Sequence, residues 1–143
     1  MGLVDDVQAY LQSQDVIDGS TEWPSVRRNM SDNLPDQLVV FAEDGGFEPE
    51  TPAPQGSMGD AALAEPAVQV RVRGEPWDGD SAEAKAAEIY DALHGLLRTD
   101  MGSQHYLRVK AQTSSPVFIG YDERGRPEFT QSFRALRAVA STS

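Results

Sequence analysis

The sequence predicts an α+β domain, in which a largely antiparallel sheet of about five strands carries two main helices packed on it. First, two segments have apolar residues at helical spacing, and five others have the alternation or the short apolar run of a strand. Second, these segments follow one another as helix, strand, strand, helix and three strands, which is an α+β order. Third, 143 residues is the usual size of one domain, so we predict a single domain over 1–143.

The N-terminal part of the chain predicts one helix and one strand. Apolar residues recur at helical spacing in residues 2–13, namely Leu3, Val4, Val7, Tyr10 and Leu11. Residues 15–36 are polar and contain two X-Pro pairs, so we predict a loop with at most a short strand. The apolar run 37–42 predicts a strand that is buried on both faces.

A proline-rich segment follows this first strand. Residues 47–66 contain four prolines and two glycines and few large apolar side chains. Such a segment buries too little apolar surface to offset the entropy of ordering it. We therefore expect a mobile loop at about 44–66.

The centre of the chain predicts a strand followed by the second helix. Residues 67–74 alternate, with Val68, Val70 and Val72 on one face and Gln69, Arg71 and Arg73 on the other. Asp80 and Glu83 have the spacing of a capping box that opens a helix. The apolar stripe of this helix runs through Ala82, Ala86, Ile89, Leu93 and Leu96, and Gly102 is a plausible stop signal.

The C-terminal part predicts three more strands. In 106–113, alternation places Leu107, Val109 and Ala111 towards the core and Tyr106, Arg108 and Lys110 outward. Residues 117–121 form the next strand, and residues 122–126 form a turn in which glycine suits a positive φ. Residues 128–139 form a long final strand, in which Phe129 and Phe133 share a face.

Composition restricts the classes of function. The formal net charge is −11, and it is uneven: residues 1–66 have 13 acidic and 2 basic side chains, whereas residues 67–143 have 10 of each. This disfavours general DNA binding. The acidic half either serves solubility or meets a basic surface on a partner or a second copy. No apolar run approaches the length of a membrane span, so we expect no membrane association.

No arrangement of residues indicates catalysis, a cofactor or a metal. The two histidines, His94 and His105, have no second ligand at metal spacing. Asp78 and Asp80 resemble the start of a calcium loop, but the twelfth position of that loop is Ile89 instead of glutamate. We therefore predict no catalytic, cofactor-binding or metal-binding residue.

Three stretches together resemble a known family. They are PAVQVRVRGEPWDGDSAEAKAAEIYDALHG at 66–95, PVFIGYDERGRPEFTQSF at 116–133, and Leu34-Pro35-Asp36 before QLVVFAEDGG. Their order and spacing are similar to those of the tailed-phage minor capsid and tail-completion proteins, structurally the tail terminators. The resemblance covers most of the chain outside about 47–65, where family members are usually shorter.

The resemblance implies a virion protein without enzymatic activity. It implies a hexameric ring of identical subunits on the head-proximal end of a completed tail tube, where the ring ends tube growth and joins tail to head. The implied partners are further copies of the chain, the tail tube protein and the head–tail connector or head-completion protein. DNA would cross the channel without specific binding. The protein would be assembled in the host cytoplasm and located at the head–tail interface of the virion.

The candidate interface residues are cations of the sheet and of the hairpin turn, together with one tryptophan. They are Arg71, Arg73, Trp77, Arg108, Lys110, Arg124 and Arg126. For the strand cations the alternative is an ordinary solvated sheet face. Trp77 either fills the edge of the core or anchors an interface. We expect an Arg73→Glu change to leave folding intact and to weaken contact between subunits.

Two other functions remain open from the sequence. A head-completion or neck connector protein would occupy the layer next to the terminator in the same virion. A monomeric α+β module would bind a small ligand or peptide at an exposed sheet edge.

Overall fold

The computed structural model describes residues 2–28, 34–44, 47–50 and 63–138, which form two helices and nine strands. The helices are α1 (Leu3–Ser13) and α2 (Gly79–Leu93). The strands are β1 (Ser25–Arg27), β2 (Leu38–Glu43), β3 (Phe47–Glu50), β4 (Leu63–Glu65), β5 (Ala67–Arg73), β6 (Leu97–Met101), β7 (Gln104–Ala111), β8 (Val117–Tyr121) and β9 (Pro127–Ala138). Neither helix is long and apolar enough to cross a bilayer.

One mixed sheet contains all of these strands. Its main path runs β1–β2–β5–β9–β4–β3, while β7 and β8 pair with β9 and β6 pairs with β7. Every pairing is antiparallel except that of β1 with β2. The predicted α+β class and the largely antiparallel sheet are therefore confirmed. The predicted number of about five strands is too low, because β1, β3, β4 and β6 are short strands of three to five residues.

The long strand β9 organises the sheet because it is paired along both sides. Phe133 lies opposite Val68 of β5 on one side and opposite Ala111 of β7 on the other. Nearer the start of β9, Phe129 lies opposite Val72 of β5 and Phe118 of β8. Strands β7 and β8 therefore lie end to end along one side of β9, and β5 occupies the other.

Both helices pack on one face of the sheet and enclose the core. The valine face of β5 is buried there, as predicted, together with Val39 and Phe41 of β2 and the two phenylalanines of β9. The buried stripe of α2 consists of Ala82, Ala86, Ile89 and Leu93, and that of α1 of Leu3, Val4, Val7 and Leu11. Each fully buried large apolar side chain contributes about 1.5–3 kcal/mol to folding.

The second helix begins and ends earlier than the sequence predicted. Its N-cap is Asp78, whose carboxylate accepts a hydrogen bond from the backbone N–H of Ser81 at 3.2 Å. The predicted capping box at Asp80 and Glu83 is wrong by two positions. The helix ends at Leu93, and β6 follows before the predicted stop signal at Gly102.

In β7 the predicted alternation is wrong at its start. Tyr106 is buried and Leu107 is exposed, whereas Val109 and Ala111 are buried as predicted. The phenol can be buried because its hydroxyl donates to the Asp6 carboxylate at 2.6 Å. A polar partner that lies 100 residues away is invisible in a local pattern.

The proline-rich segment contains a short strand near each of its ends, β3 and β4. β4 pairs with β9 and β3 pairs with β4. Residues 45–46 and 51–62 lie outside the described residues. The mobility of the loop at about 44–66 and the single domain over 1–143 stay predictions.

Candidate functional site

The face of the sheet opposite the helices, called the outer face below, is rich in cations. Arg71 and Arg73 of β5 lie opposite Thr130 and Glu128 of β9. Lys110 of β7 lies opposite Arg134 of β9. On β5, β7 and β9 this face has five basic side chains, namely Arg71, Arg73, Arg108, Lys110 and Arg134, against the single acid Glu128. The pairing register thus places the four candidate strand cations on one face of the sheet, and their role at an interface stays a prediction.

A cavity of about 420 Å³ opens at one end of the outer face. Every residue that lines it is ionisable: Arg71, Arg73, Asp122, Glu123, Arg124, Arg126 and Glu128. It lies where the end of β5 meets the turn between β8 and β9. Because four arginines meet three acids here, the cavity is polar and close to neutral, with a small basic excess.

The floor of the cavity consists of two buried arginines. Arg73 is 1% exposed and donates from Nε and Nη2 to the carbonyls of Asp36 and Pro35, at 3.1 and 2.7 Å. Arg126 is 2% exposed and donates to Asp122 at 2.7 Å and to the Asp36 carboxylate at 3.2 Å. These bonds join the segment before β2 to β5 and to the hairpin turn. Arg73 is therefore buried instead of lying on a solvated sheet face, and its burial argues against the expectation that Arg73→Glu leaves folding intact.

The electrostatics of the floor favour these pairs. Burial, followed by the charge of Arg126, lowers the pKa of the Arg73 guanidinium from its usual range. Burial alone would raise the pKa of Asp122, but hydrogen bonds from Arg126 and from the Arg124 backbone outweigh it and lower that pKa. The lowered pKa of Asp122 keeps this carboxylate charged at neutral pH, whereas Arg73 stays charged despite its lowered pKa, because a guanidinium titrates far above neutral pH.

The rim of the cavity has two cations at the surface. Arg124 is exposed, and only its backbone is fixed, by a bond from its N–H to Asp122 at 2.9 Å. Arg71 is half-buried, lies 3.9 Å from a carboxylate oxygen of Glu128, and has an Nε with no hydrogen-bond partner within the described chain. Arg71 and Arg124 are therefore the cavity cations best placed to meet another molecule.

A second, smaller cavity of about 200 Å³ lies further along the outer face. Glu65 of β4 is its acidic centre and accepts from Arg108 at 3.4 Å and from Arg134 at 3.5 Å. Lys110 and Arg108 are exposed at its edge. The two predicted cations of β7 thus lie at the surface, where Glu65 partly neutralises the charges of Arg108 and Arg134.

The loop before α2 presents Trp77 at the surface. Its side chain is 73% exposed, and its φ of 60° lies in the left-handed region that non-glycine residues rarely adopt. Its backbone N–H donates to the carbonyl of Gly125 at 2.8 Å, and its ring stands 4.9 Å from that of Tyr121. Trp77 therefore does not fill the edge of the core, and its role as an interface anchor stays a prediction.

The exposure of β8 was not predicted. Val117, Phe118, Ile119 and Tyr121 are each exposed by 44–51%. A run of three apolar residues in a short strand usually indicates burial. The absence of charge in β8, beside a strongly charged turn, is the only sequence signal that distinguishes it.

The two histidines have structural contacts. Nδ1 of His94 accepts a hydrogen bond from the Ala111 backbone N–H at 3.0 Å, and this bond joins the end of α2 to β7. His105 pairs with Asp100 across the β6–β7 ladder at 2.6 Å. In the part of the chain that the structure describes, no group of three or more potential metal ligands occurs.

These features define an α+β protein whose exposed groups offer surfaces for contact: a cationic sheet face, two charged cavities and an apolar strand. The comparison with known families agrees with this class. The model of the bacteriophage tail terminator protein family matches residues 10–138, so the chain belongs to that family. It is a structural protein of the phage virion tail, and the predicted family is confirmed.

Solved structures show the same fold. A chain from the virion of a native gene transfer agent particle superposes with a TM-score of 0.70 at 15% identity, over 96% of this chain and 95% of that one. A second solved chain superposes with a TM-score of 0.57 at 16% identity, over 99% of this chain and all of the other. No curated protein matches the sequence.

Proposed function

We propose that this protein is a tail terminator that closes into a hexameric ring on the head-proximal end of the tail tube. The ring ends tube polymerisation and provides the surface to which the head connector or head-completion protein binds. The observation that carries the proposal is the family match over residues 10–138, which includes the last turn of α1 and all the strands of the outer face. The proposal includes no chemical step.

The distribution of charge supports a ring. Ring contacts are head-to-tail, so each subunit needs two different complementary surfaces. The outer face has five cations against one acid on its three central strands, whereas residues 1–66 have an excess of 11 acids. We propose that Arg71, Trp77, Arg108, Lys110 and Arg124 contact neighbouring subunits or the tube. Arg73 and Arg126 support that surface from below.

The same charge suits a channel for DNA. Each subunit has a formal net charge of −11, so a ring of six repels the DNA phosphates as a whole. A like-charged wall lets DNA pass without the counterion release that drives binding. We propose that DNA crosses this ring without specific contacts at the neck of the virion.

The test is tail assembly with and without this protein. In its absence we expect tubes of unregulated length, and adding the purified protein should restore a defined length. Electron microscopy of the restored tails should show a ring at the head-proximal end. Tails of normal length that do not join heads would contradict tube termination and support a head-completion protein instead.

A further inference from the structure

An apolar surface of five residues lies beside the charged cavity. It consists of Trp77, Val117, Phe118, Ile119 and Tyr121 and is called the apolar edge below. Among the described strands β8 pairs only with β9, so its other side is an open sheet edge there. Exposed strand edges with apolar side chains associate readily with other strands. A surface of this kind is typical of a protein interface.

The apolar edge is held in place before any partner arrives. The ring of Phe118 meets that of Tyr121 edge-on at 5.4 Å and packs on the buried Phe129 at 5.2 Å. The ring of Trp77 packs at a tilt against that of Tyr121 and lies against Gly125, where a Cβ would stand 2.5 Å from the indole. The left-handed backbone of Trp77 costs about 1–3 kcal/mol, and such strain clusters at binding sites. Rigid aromatic anchors lose little entropy on binding.

A second open edge offers a counterpart. Within the described chain β6 pairs only with β7, and its first residue, Leu97, is 70% exposed. Leu107 of β7 is exposed nearby. Together with the apolar edge, these two leucines account for all the large apolar side chains that are exposed in the described chain. One chain therefore has two unlike strand edges with exposed apolar side chains; in β6, Leu97 lies beside the exposed Arg98 and Asp100, whose charges balance.

Charge favours a second copy as the occupant. Two copies with a net charge of −11 repel each other, so the centre of their contact is favoured where ionisable groups are few or balanced, while the cations of the outer face can meet acids at its side. β8 has no ionisable side chain other than the tyrosine, and the exposed part of the apolar edge adds none. A basic partner would gain nothing from this neutral surface, whereas a second acidic chain meets least repulsion here.

We propose that the apolar edge of one copy packs against the β6 edge of the next, around Leu97 and Leu107. The contact is head-to-tail and joins unlike edges, so it propagates around a ring. The inference rests on the ring of the proposed function and names the surfaces that close it. The aromatic anchors form its centre, and the cavity rim lies at its side.

The first test measures self-association of the full chain by analytical ultracentrifugation. Phe118→Glu and Leu97→Glu should each raise the apparent dissociation constant tenfold or more, as for central interface residues. Ala84→Glu is the matched control, because it adds the same charge on the exposed side of α2 and should leave association unchanged. Ile119→Glu serves as a second variant, since Phe118 also contacts the core residue Phe129.

Mixing the variants distinguishes a head-to-tail contact from any other. A Phe118→Glu chain keeps its β6 edge and a Leu97→Glu chain keeps its apolar edge, so an equal mixture has one intact contact. The mixture should form dimers but no rings, while each variant alone stays monomeric. Rings formed by Phe118→Glu, or a mixture that associates no better than its components, would overturn the inference.

The second test addresses the assembled particle. Benzoylphenylalanine in place of Phe118 should, on irradiation of purified tails, give an adduct of two copies of this chain that maps to 97–110. An adduct with another virion protein, or the absence of a self-adduct, would overturn the inference. Tail length decides the proposed function separately: tubes of normal length without this protein would remove that function, whereas length control by a Phe118→Glu ring would remove only the inference.

Discussion

Arg71 and Arg73 lie on the same face of one strand but have different roles. They are two positions apart on β5 and face the same way, but Arg71 lies at the cavity rim and Arg73 in its floor. The difference comes from the segment before β2, whose carbonyls accept from Arg73 at 2.7 and 3.1 Å. Alternation gives the face of a strand residue, but a distant segment decides its burial.

The first prediction follows from this contrast. Arg73→Glu places a carboxylate against the carbonyls of Pro35 and Asp36 and leaves Asp122 and Asp36 with one cation fewer nearby. We expect the free energy of unfolding to fall by about 3 kcal/mol or more, because two hydrogen bonds from a charged donor are lost, each of which contributes about 1.5–3 kcal/mol. Arg71→Glu on the same strand should change it by less than about 1 kcal/mol. Urea denaturation followed by circular dichroism measures both, and equal stability of the two variants would refute the burial argument.

The buried pair of Asp6 and Tyr106 carries a pH dependence. Burial, followed by the hydrogen bond and charge of Asp6, raises the pKa of the Tyr106 phenol well above its usual range. The native state therefore holds the neutral phenol. Its contribution to stability is fully present below the pKa of an unfolded tyrosine, about 10, and is lost as the pH rises above that value.

The second prediction is that Tyr106→Phe lowers the free energy of unfolding by about 1.5–3 kcal/mol at pH 7, because it removes the donor to the Asp6 carboxylate. Above pH 10 the difference in unfolding free energy between wild type and variant should shrink. The phenol of the unfolded wild type ionises there and stabilises the unfolded state, whereas phenylalanine does not ionise. Urea titrations at pH 7, 9 and 10.5 measure this convergence. Parallel curves across that range would contradict it.

At the scale of elements, α2 is attached to the turn after α1 by one buried lysine. Nζ of Lys85 donates to the Val16 carbonyl at 2.7 Å and to Glu88 at 2.8 Å, and it lies 5.8 Å from the ring centre of Trp23. The helix thus holds the N-terminal layer through a polar contact as well as through its apolar stripe. A buried ammonium is tolerated because its partners are in place.

The third prediction is that Lys85→Met lowers the free energy of unfolding by about 1–3 kcal/mol, because the Val16 carbonyl loses its charged donor. Lys110→Met, at an exposed position of β7, is the matched control and should stay within about 0.5 kcal/mol of wild type. Thermal and urea unfolding of both variants measure the effect. A loss from Lys85→Met no larger than that from Lys110→Met would show that the bond between α2 and the turn contributes little to stability.

The elements predicted from sequence are those whose pattern is strong over many residues. The valine alternation of β5, the apolar run of β2 and the apolar stripe of α2 were each sufficient to predict the element. β6 was missed, and β1 was expected only as a possible short strand within 15–36, because strands of five and three residues depend on β7 and β2 beside them. The exposure of β8 was missed because an apolar run usually indicates a buried strand. Whether the strand lies at an open edge depends on how the rest of the sheet pairs, which a local pattern does not show.

The candidate site was predictable in part and for a similar reason. Strand alternation correctly placed Arg71, Arg108 and Lys110 on one face. It gave no information about the cavity, because that is formed by bringing Asp36 and the turn at 122–126 to the end of β5. Contacts of this range depend on the whole fold.

At the scale of the whole molecule, the uneven charge of the chain predicts the sign of the surface that lies opposite the cavity rim in an assembly. The chain has an excess of 11 acids in residues 1–66, so in the proposed head-to-tail ring we expect the rim of one copy to face the acidic part of its neighbour. The rim offers two adjacent exposed residues of opposite sign, Glu123 and Arg124. Reversing each in turn reports the sign of the surface opposite.

The fourth prediction is that Arg124→Glu weakens ring formation and Glu123→Lys strengthens it. Because exposed ion pairs contribute about 0.2–1 kcal/mol, each change should shift the concentration for half-assembly by roughly two- to fivefold, in opposite directions. Both shifts should fade at about 1 M salt, where the screening length falls to about 3 Å. Sedimentation at 0.05 M and 1 M salt measures them. Shifts in the reverse directions would show that the rim faces a basic surface, which the acidic half of a second copy does not provide.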